Sequence, residues 1–147
     1  MEEISLVPHT DDLYELVYEM RKMAFYEYVK ACYGWDEGEQ RQRYADYIDR
    51  THDDVRVIRM GERNVGILVA YPRDNGKYFI ETICLMPECR GKGIGTKILK
   101  DEIAAHGDQD IEIQHYKQNP AGGLYARLGF ERVGETENHY QMERKAS

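Results

Sequence analysis

Long hydrophobic runs are missing from this sequence. No apolar stretch approaches the ~18–20 residues that cross a bilayer. The opening residues Met1-Glu2-Glu3-Ile4 have neither the basic nor the apolar region of a secretory signal. A cytoplasmic protein without a membrane partner is the expectation. Cysteine is scarce, at Cys32, Cys84 and Cys89 only. An odd number, with no Cys-x-x-Cys pair and no histidine cluster nearby, speaks against both a disulfide framework and a metal site. Repeats, low-complexity tracts and Pro/Ser-rich linkers are absent too, so one domain is expected over residues 2–144. Positive charge is in deficit: 20 Lys and Arg against 27 Asp and Glu, a net charge of −7 and a pI near 5.3. Such a surface repels phosphate backbones, which makes nucleic acid and anionic membranes poor partners, and it draws cations in weakly.

What is present is an ordinary globular composition. Hydrophobic residues make up 41% of the 147 and charged residues 32%, enough to bury one core. Glu3 to Val7 alternates weakly, as a first strand would. Thr10 is a candidate N-cap, and Asp11 and Asp12 suit a helix start. Leu13, Leu16, Val17, Met20, Met23 and Ala24 then recur at helical spacing. Gly34 breaks that helix, and a second is expected over Glu39 to Asp49 with Tyr44, Tyr47 and Ile48 on its apolar face. Val55 to Met60, Val65 to Tyr71 and Lys77 to Met86 read as a three-stranded antiparallel meander, with Asp74-Asn75-Gly76 as a hairpin signal. Thr96 to His106 is helical, Asp110 to Lys117 alternates as a strand with one buried face, Pro120 to Arg127 is a short helix, and Phe130 to Gly134 and Asn138 to Glu143 close the chain. The order predicts an α/β fold: a mixed, mostly antiparallel sheet with helices on both faces.

The most informative segment is Leu85-Met86-Pro87-Glu88-Cys89-Arg90-Gly91-Lys92-Gly93-Ile94-Gly95-Thr96. A strand runs into a loop with three glycines, and the loop opens a helix. Glycines let successive backbone N–H groups turn into one concavity. The helix N-terminus adds unpaired N–H groups and a partial positive charge, so the segment suits a phosphate or pyrophosphate. Arg90 and Lys92 supply charge at its rim. The Walker spacing fails, because Met86 stands where its first glycine belongs and Gly93 follows Lys92. The dinucleotide fingerprint fails as well, its last position falling on Thr96 or Ile98.

The segment strongly resembles the acetyl-CoA loop of the GCN5-related N-acetyltransferase (GNAT) superfamily, Arg/Gln-x-x-Gly-x-Gly/Ala, which stands here as Arg90, Gly93 and Gly95. A second element of that family, a Tyr followed by Leu-Gly-Phe, appears as Tyr125 with Leu128-Gly129-Phe130. The resemblance implies the GNAT fold and acetyl-CoA as cosubstrate. It implies that backbone N–H groups from Arg90 through Gly91, Lys92, Gly93, Ile94 and Gly95 to Thr96 hold the pyrophosphate. The strand ending at Leu85 and Met86 would splay from the strand Asp110 to Lys117, with the pantetheine arm laid in that gap. Asn119 matches the family's asparagine near the pantetheine, although its spacing to Tyr125 is one residue shorter than the commonest form.

Tyr125 is the candidate acid for the CoA thiolate, against the alternative that it packs the short helix. Glu81, on the same strand face as Ile83 and Leu85, is the candidate base, against a carboxylate paired at an edge; His115 and water are its rivals. An acetyl-cysteine route through Cys84 or Cys89 lacks a His/Asp partner pattern. Tyr33 and Trp35, in the segment joining the first two helices, are candidates for the acceptor site, with Asp36, Glu37 and Glu39 placed to attract an ammonium. The alternative is that Trp35 caps the core and these acids start a solvated helix. The resulting expectation is an N-acetyltransferase acting by direct transfer on a primary amine of a small molecule or peptide. A non-catalytic acetyl-CoA-binding module, a different acyl-CoA and an oxygen acceptor stay open. By analogy with the family alone, a homodimer is expected.

Overall fold

A computed structural model of the chain describes residues 3–147. Strand β1 (Ile4–Pro8) leads through a 3-10 turn at Asp11–Leu13 into helices α1 (Tyr14–Tyr33) and α2 (Glu37–Thr51). Strands β2 (Val55–Met60), β3 (Arg63–Pro72) and β4 (Tyr78–Leu85) follow, then helix α3 (Ile94–His106), strand β5 (Ile111–Tyr116), helix α4 (Gly122–Arg127) and strands β6 (Glu131–Glu135) and β7 (His139–Arg144). The seven strands form one sheet in the order β1-β2-β3-β4-β5-β7-β6, in which β4 and β5 are parallel and the pairs β1–β2, β2–β3, β5–β7 and β6–β7 are antiparallel. The mixed, mostly antiparallel sheet flanked by helices is the architecture that the element order predicts.

By contact density the chain divides into two compact units. The first holds the described residues through Val69 together with Thr82–Lys92; the second holds Ala70–Glu81 and Gly93–Ser147. Strands β3 and β4 each begin in one unit and end in the other. In the first unit Val17 of α1 and Ile48 of α2 are buried with Val57, Ile58, Ile67 and Leu68 of β2 and β3. In the second, Ile80, Ile98, Leu99, Ile111, Ile113 and Phe130 are buried. Glu102 is buried there as well, its Oε1 accepting from the Tyr78 hydroxyl at 2.8 Å while the Tyr78 ring stacks on His106 at 3.6 Å.

The first two helices are joined by tyrosines, by the Glu37 carboxylate and by Arg41, which reaches Glu15 at 2.8 Å. Asp36 caps α2 by accepting from the Glu39 N–H at 2.8 Å, which starts the helix at Glu37, two residues before the hydrophobic pattern does. Thr10 makes no such bond; its hydroxyl turns to Asp12. The Tyr44 hydroxyl donates to the Tyr14 carbonyl at 2.7 Å, and the Tyr44 ring lies against those of Tyr14 and Tyr18. Glu37 accepts from the Tyr18 hydroxyl at 2.7 Å, from Trp35 Nε1 at 2.8 Å and from Lys22 Nζ at 3.0 Å. Those three donors, Trp35 foremost, hold its carboxyl down at about 2. Met23, which the helical spacing placed on the buried face, is 49% exposed.

Gly66 of β3 is the tightest point beside β4. A Cβ built there would stand 2.2 Å from the Cys84 carbonyl oxygen and 3.1 Å from the Leu85 Cα, both backbone atoms. Gly66→Ala is therefore expected to lower unfolding free energy by about 1–3 kcal/mol in a urea titration, the usual cost of forcing an extra carbon into packed structure; unchanged stability would mean that β4 shifts freely. Glu37→Gln tests the helix junction. The carboxyl sits below its usual value in the folded chain, so its contribution is complete above about pH 4.5 and is lost as pH falls towards about 2. The variant should melt lower than the parent at neutral pH, with the gap narrowing as pH falls below about 4.5 towards about 2; a constant gap across that range would contradict the assignment.

Candidate active site

The glycine loop is built by local hydrogen bonds. Met86 N–H donates to the Val65 carbonyl at 2.8 Å, fixing the end of β4. A 3-10 turn follows over Pro87–Cys89, where Cys89 N–H reaches the Met86 carbonyl at 2.9 Å and Arg90 N–H the Pro87 carbonyl at 3.3 Å. The Arg90 N–H, the first of the run that the sequence assigns to a ligand, is thus engaged within the turn. The Arg90 side chain folds back and donates from Nε to the Leu85 carbonyl at 3.2 Å. Gly91 and Gly93 take φ of 74° and 83°, a left-handed backbone that side-chain-bearing residues rarely adopt, and a Cβ at either would meet nothing within 4 Å. Gly93 is also the N-cap of α3, whose first turn contains no acidic residue and whose Lys97 N–H returns to the Gly93 carbonyl at 3.0 Å. Helix geometry leaves the N–H groups ahead of Lys97 without intrahelical partners and puts partial positive charge there, with no side-chain anion in that turn to absorb it.

On the parallel side of the sheet, β4 and β5 pair over three residues only: Tyr78 with Ile111, Phe79 with Glu112 and Ile80 with Ile113. Strand β5 keeps its ladder to β7 as far as Tyr116 opposite His139, so from Gln114 on it is paired on the β7 side. Glu81 follows the last paired residue of β4. It is half-buried, with Oε2 shut off from solvent.

Tyr125, His115 and Asn119 are brought together in the second unit. Tyr125 lies in α4, 5% exposed, with its ring edge-on to His115 at 5.8 Å and tilted against Phe130 at 6.2 Å. Asn119 Oδ1 accepts from the Ala121 N–H at 3.0 Å, and the Asn119 N–H donates to the Tyr116 carbonyl at 2.9 Å. The observed work of Asn119 is to shape the turn from which the Tyr125 helix starts. His115 Nδ1 donates to the Tyr116 carbonyl at 2.8 Å, which leaves Nε2 of the neutral ring as the acceptor. That Nε2 is buried with no hydrogen-bond partner among the described residues. It faces Gly122, where a Cβ would stand 2.6 Å away. Helix α4 covers the nitrogen that a base would use.

Cys84 holds its proton. Burial pushes its thiol up to about 11, against the opposing pull of Arg21, of a backbone hydrogen bond from Ile67 and of Arg90. A thiolate nucleophile at this position is therefore disfavoured, and Cys89 is fully enclosed at 1% exposure. In the first unit the Trp35 ring packs on Tyr26 at 5.0 Å and lies under Lys22 at 5.5 Å, while its N–H is committed to Glu37. Tyr33 is 63% exposed at the end of α1. The acids beside them are occupied: Glu37 takes three donors, Asp36 caps α2 and Glu39 pairs with Arg43 at 2.7 Å.

One cluster escaped the sequence reading. Arg21 of α1, Tyr47 of α2 and Thr82 of β4 meet through side chains, with the Arg21 guanidinium 4.1 Å from the Tyr47 ring centroid. No spacing could have revealed it, since its members are 26 and more residues apart. Among the described residues no group of three or more His, Cys, Asp or Glu side chains is placed to hold a metal, and no helix is long and apolar enough to cross a membrane.

Solved structures with this fold are numerous. An acetyltransferase from Thermus thermophilus superposes with a TM-score of 0.78 at 17% identity, over 99% of each chain. The PaiA N-acetyltransferase of Thermoplasma acidophilum, solved with coenzyme A, gives 0.73 at 17% identity over 97% of this chain and 99% of that one. Arabidopsis thaliana Naa50, bound to the bisubstrate analogue CoA-Ac-MVNAL, gives 0.67 at 18% identity over 97% and 98%. Identities this low speak for the fold alone, and no curated protein gives a significant match by sequence. The family model for the acetyltransferase (GNAT) domain, however, matches residues 51–132, which hold β2 through α4 with the glycine loop and Tyr125, and with more than half its length matched the chain belongs to that family.

Proposed function

We propose that the protein transfers the acetyl group of acetyl-CoA to a primary amine, directly, within a complex of both substrates. The observation that carries this reading is the pair of left-handed glycines, Gly91 and Gly93, opening onto an α3 N-terminus whose first turn has no acid. A pyrophosphate is the anion such a backbone suits. Gly91, Lys92, Gly93, Ile94, Gly95 and Thr96 would hold it by main-chain N–H groups, with Arg90 and Lys92 as charged neighbours. Leu85 and Met86, at the end of β4, would border the pantetheine arm, which pairs with strand backbone as an added strand does. Structures of the same fold with coenzyme A and with a CoA-peptide analogue support a ternary route.

The chemistry has three demands. An alkylammonium must lose a proton, which costs roughly 4–5 kcal/mol at neutral pH for a group of pKa ~10.4. Glu81, at the end of the β4–β5 pairing, is the carboxylate assigned to take it, directly or through water. The amine nitrogen then forms a bond to the thioester carbonyl carbon, and the oxyanion is met by a backbone N–H. When the C–S bond breaks, the departing thiolate takes the Tyr125 phenol proton, and the second proton that the nitrogen sheds as the amide forms passes through water to the phenolate and restores it. His115 is disfavoured as base by the helix over its Nε2, and Cys84 as nucleophile by its retained proton. Tyr33 and Trp35 remain assigned to the acceptor side, with Trp35 acting as a wall of the α1–α2 junction and Tyr33 as its exposed neighbour.

Calorimetric titration with acetyl-CoA, followed by thiol release on a panel of amines, tests the reading; absence of binding would sink it. Gly93→Glu should weaken acetyl-CoA binding by about 100-fold or more by placing a carboxylate where the pyrophosphate sits. Gly93→Asn, which shares the left-handed strain but carries no charge, should bind tighter than Gly93→Glu; equal losses would point to the backbone instead. Tyr125→Phe should lower kcat about 10- to 100-fold with acetyl-CoA affinity within a factor of about two, and a fully active variant would remove Tyr125 from the mechanism.

A further inference from the structure

Arg21 is held unlike Lys22, Arg41 and Arg43 of the same helix pair. Lys22 reaches Glu37, Arg41 reaches Glu15, and Arg43 reaches Glu39. Among the described residues no carboxylate pairs with Arg21. Its guanidinium lies over the Tyr47 ring at 4.1 Å, with the Phe25 ring at 5.6 Å. Its Nη1 donates to the Thr82 hydroxyl at 3.3 Å, and that hydroxyl also shares a hydrogen bond with the Tyr47 hydroxyl at 3.1 Å. Thr82 is 7% exposed, and Arg21 itself is half-buried.

Stacking occupies the face of a guanidinium and leaves the N–H groups along its edges in a fixed plane. One of five donors goes to Thr82. An arginine that is partly desolvated, immobilised and without a counter-ion is costly to maintain for folding alone. It is the arrangement that a planar, bidentate carboxylate completes. The position is also specific. Thr82 and Cys84 alternate onto one side of β4, and β4 runs directly into the loop that carries Arg90.

We infer that Arg21, with the hydroxyls of Thr82 and Tyr47 beside it, binds a carboxylate carried by the acceptor, so that the acceptor is an amino acid or another amine bearing a carboxylate. The inference rests on the acetyl-transfer reading above and narrows it. It also reverses the simplest view of an acidic protein. The acids of the α1–α2 junction are committed to Trp35, Lys22, Arg43 and the α2 cap, and the uncompensated charge that remains at this place is positive.

The test uses the full chain loaded with acetyl-CoA, and matched probes in which each amino acid is compared with its own amide. Thiol release and the shift in melting temperature are both measured, so binding is seen even without turnover. At least one acid should exceed its amide by about tenfold or more in kcat/KM, the size of effect that losing one partner of a charged pair produces. Arg21→Gln should bring the two within about threefold of each other, and Arg21→Lys should restore part of the preference. Acetyl-CoA affinity should be the same in all three proteins. A general preference for amides or plain amines, no acid that binds or reacts, or a preference that survives in Arg21→Gln would each overturn the inference. So would a loss of acetyl-CoA affinity in Arg21→Gln, which would make the anion a phosphate of the donor. Were both variants to misfold, the acid–amide comparison in the parent protein still decides. Failure of acetyl-CoA itself to bind, or of thiol release on every amine tried, is the separate failure of the broader reading.

Discussion

There is no room for a methyl group between Gly66 and the carbonyl of Cys84. That contact of backbone on backbone fixes the path of β4 where it matters. With the Met86 N–H tied to the Val65 carbonyl one step further on, the end of β4 is held against β3, and the loop that follows leaves from a defined place. The 3-10 turn over Pro87–Cys89 then delivers the chain to two glycines with left-handed backbone, and α3 starts at once. A strand that wandered by an ångström would carry Thr82, Cys84 and the glycine loop with it.

Tyrosine outnumbers the other aromatics. Twelve tyrosines accompany three phenylalanines and one tryptophan. Tyr18, Tyr44, Tyr47 and Tyr78 each place an aromatic body among packed side chains and a hydroxyl on a polar partner. Phenylalanine would keep the packing and lose the tie. Glu102 illustrates the converse, since burying that carboxylate is tolerable because Tyr78 delivers a proton donor to it.

Much of this was legible in the sequence because it is local. The alternation of Ile111, Ile113 and His115 marks β5 and its buried face, Gly34 marks the end of α1, and Asp74-Asn75-Gly76 marks the turn between β3 and β4. The glycine loop reads directly, because the left-handed backbone at Gly91 and Gly93 is one that glycine readily adopts. The start of α2 was misplaced because capping by Asp36 outweighs hydrophobic pattern at a helix end. Met23 was misjudged because the helical stripe predicts a direction and not the extent of what packs on it. Asn119 matched a motif, but only coordinates show its oxygen on the Ala121 N–H. Arg21 gave no signal whatever. A lone arginine on an amphipathic helix is indistinguishable from its solvated neighbours until Tyr47 and Thr82 arrive from distant segments.

The retained proton on Cys84 has a consequence for the protein's own integrity. Thioesters acylate thiolates readily, and an enzyme that keeps acetyl-CoA bound is exposed to that side reaction on any ionised sulfur of its own. With the thiol held up to about 11, almost none of Cys84 is thiolate at neutral pH. A raised thiol pKa disfavours both self-acetylation and oxidation, which suits a cysteine that serves in β4 as a small packing residue.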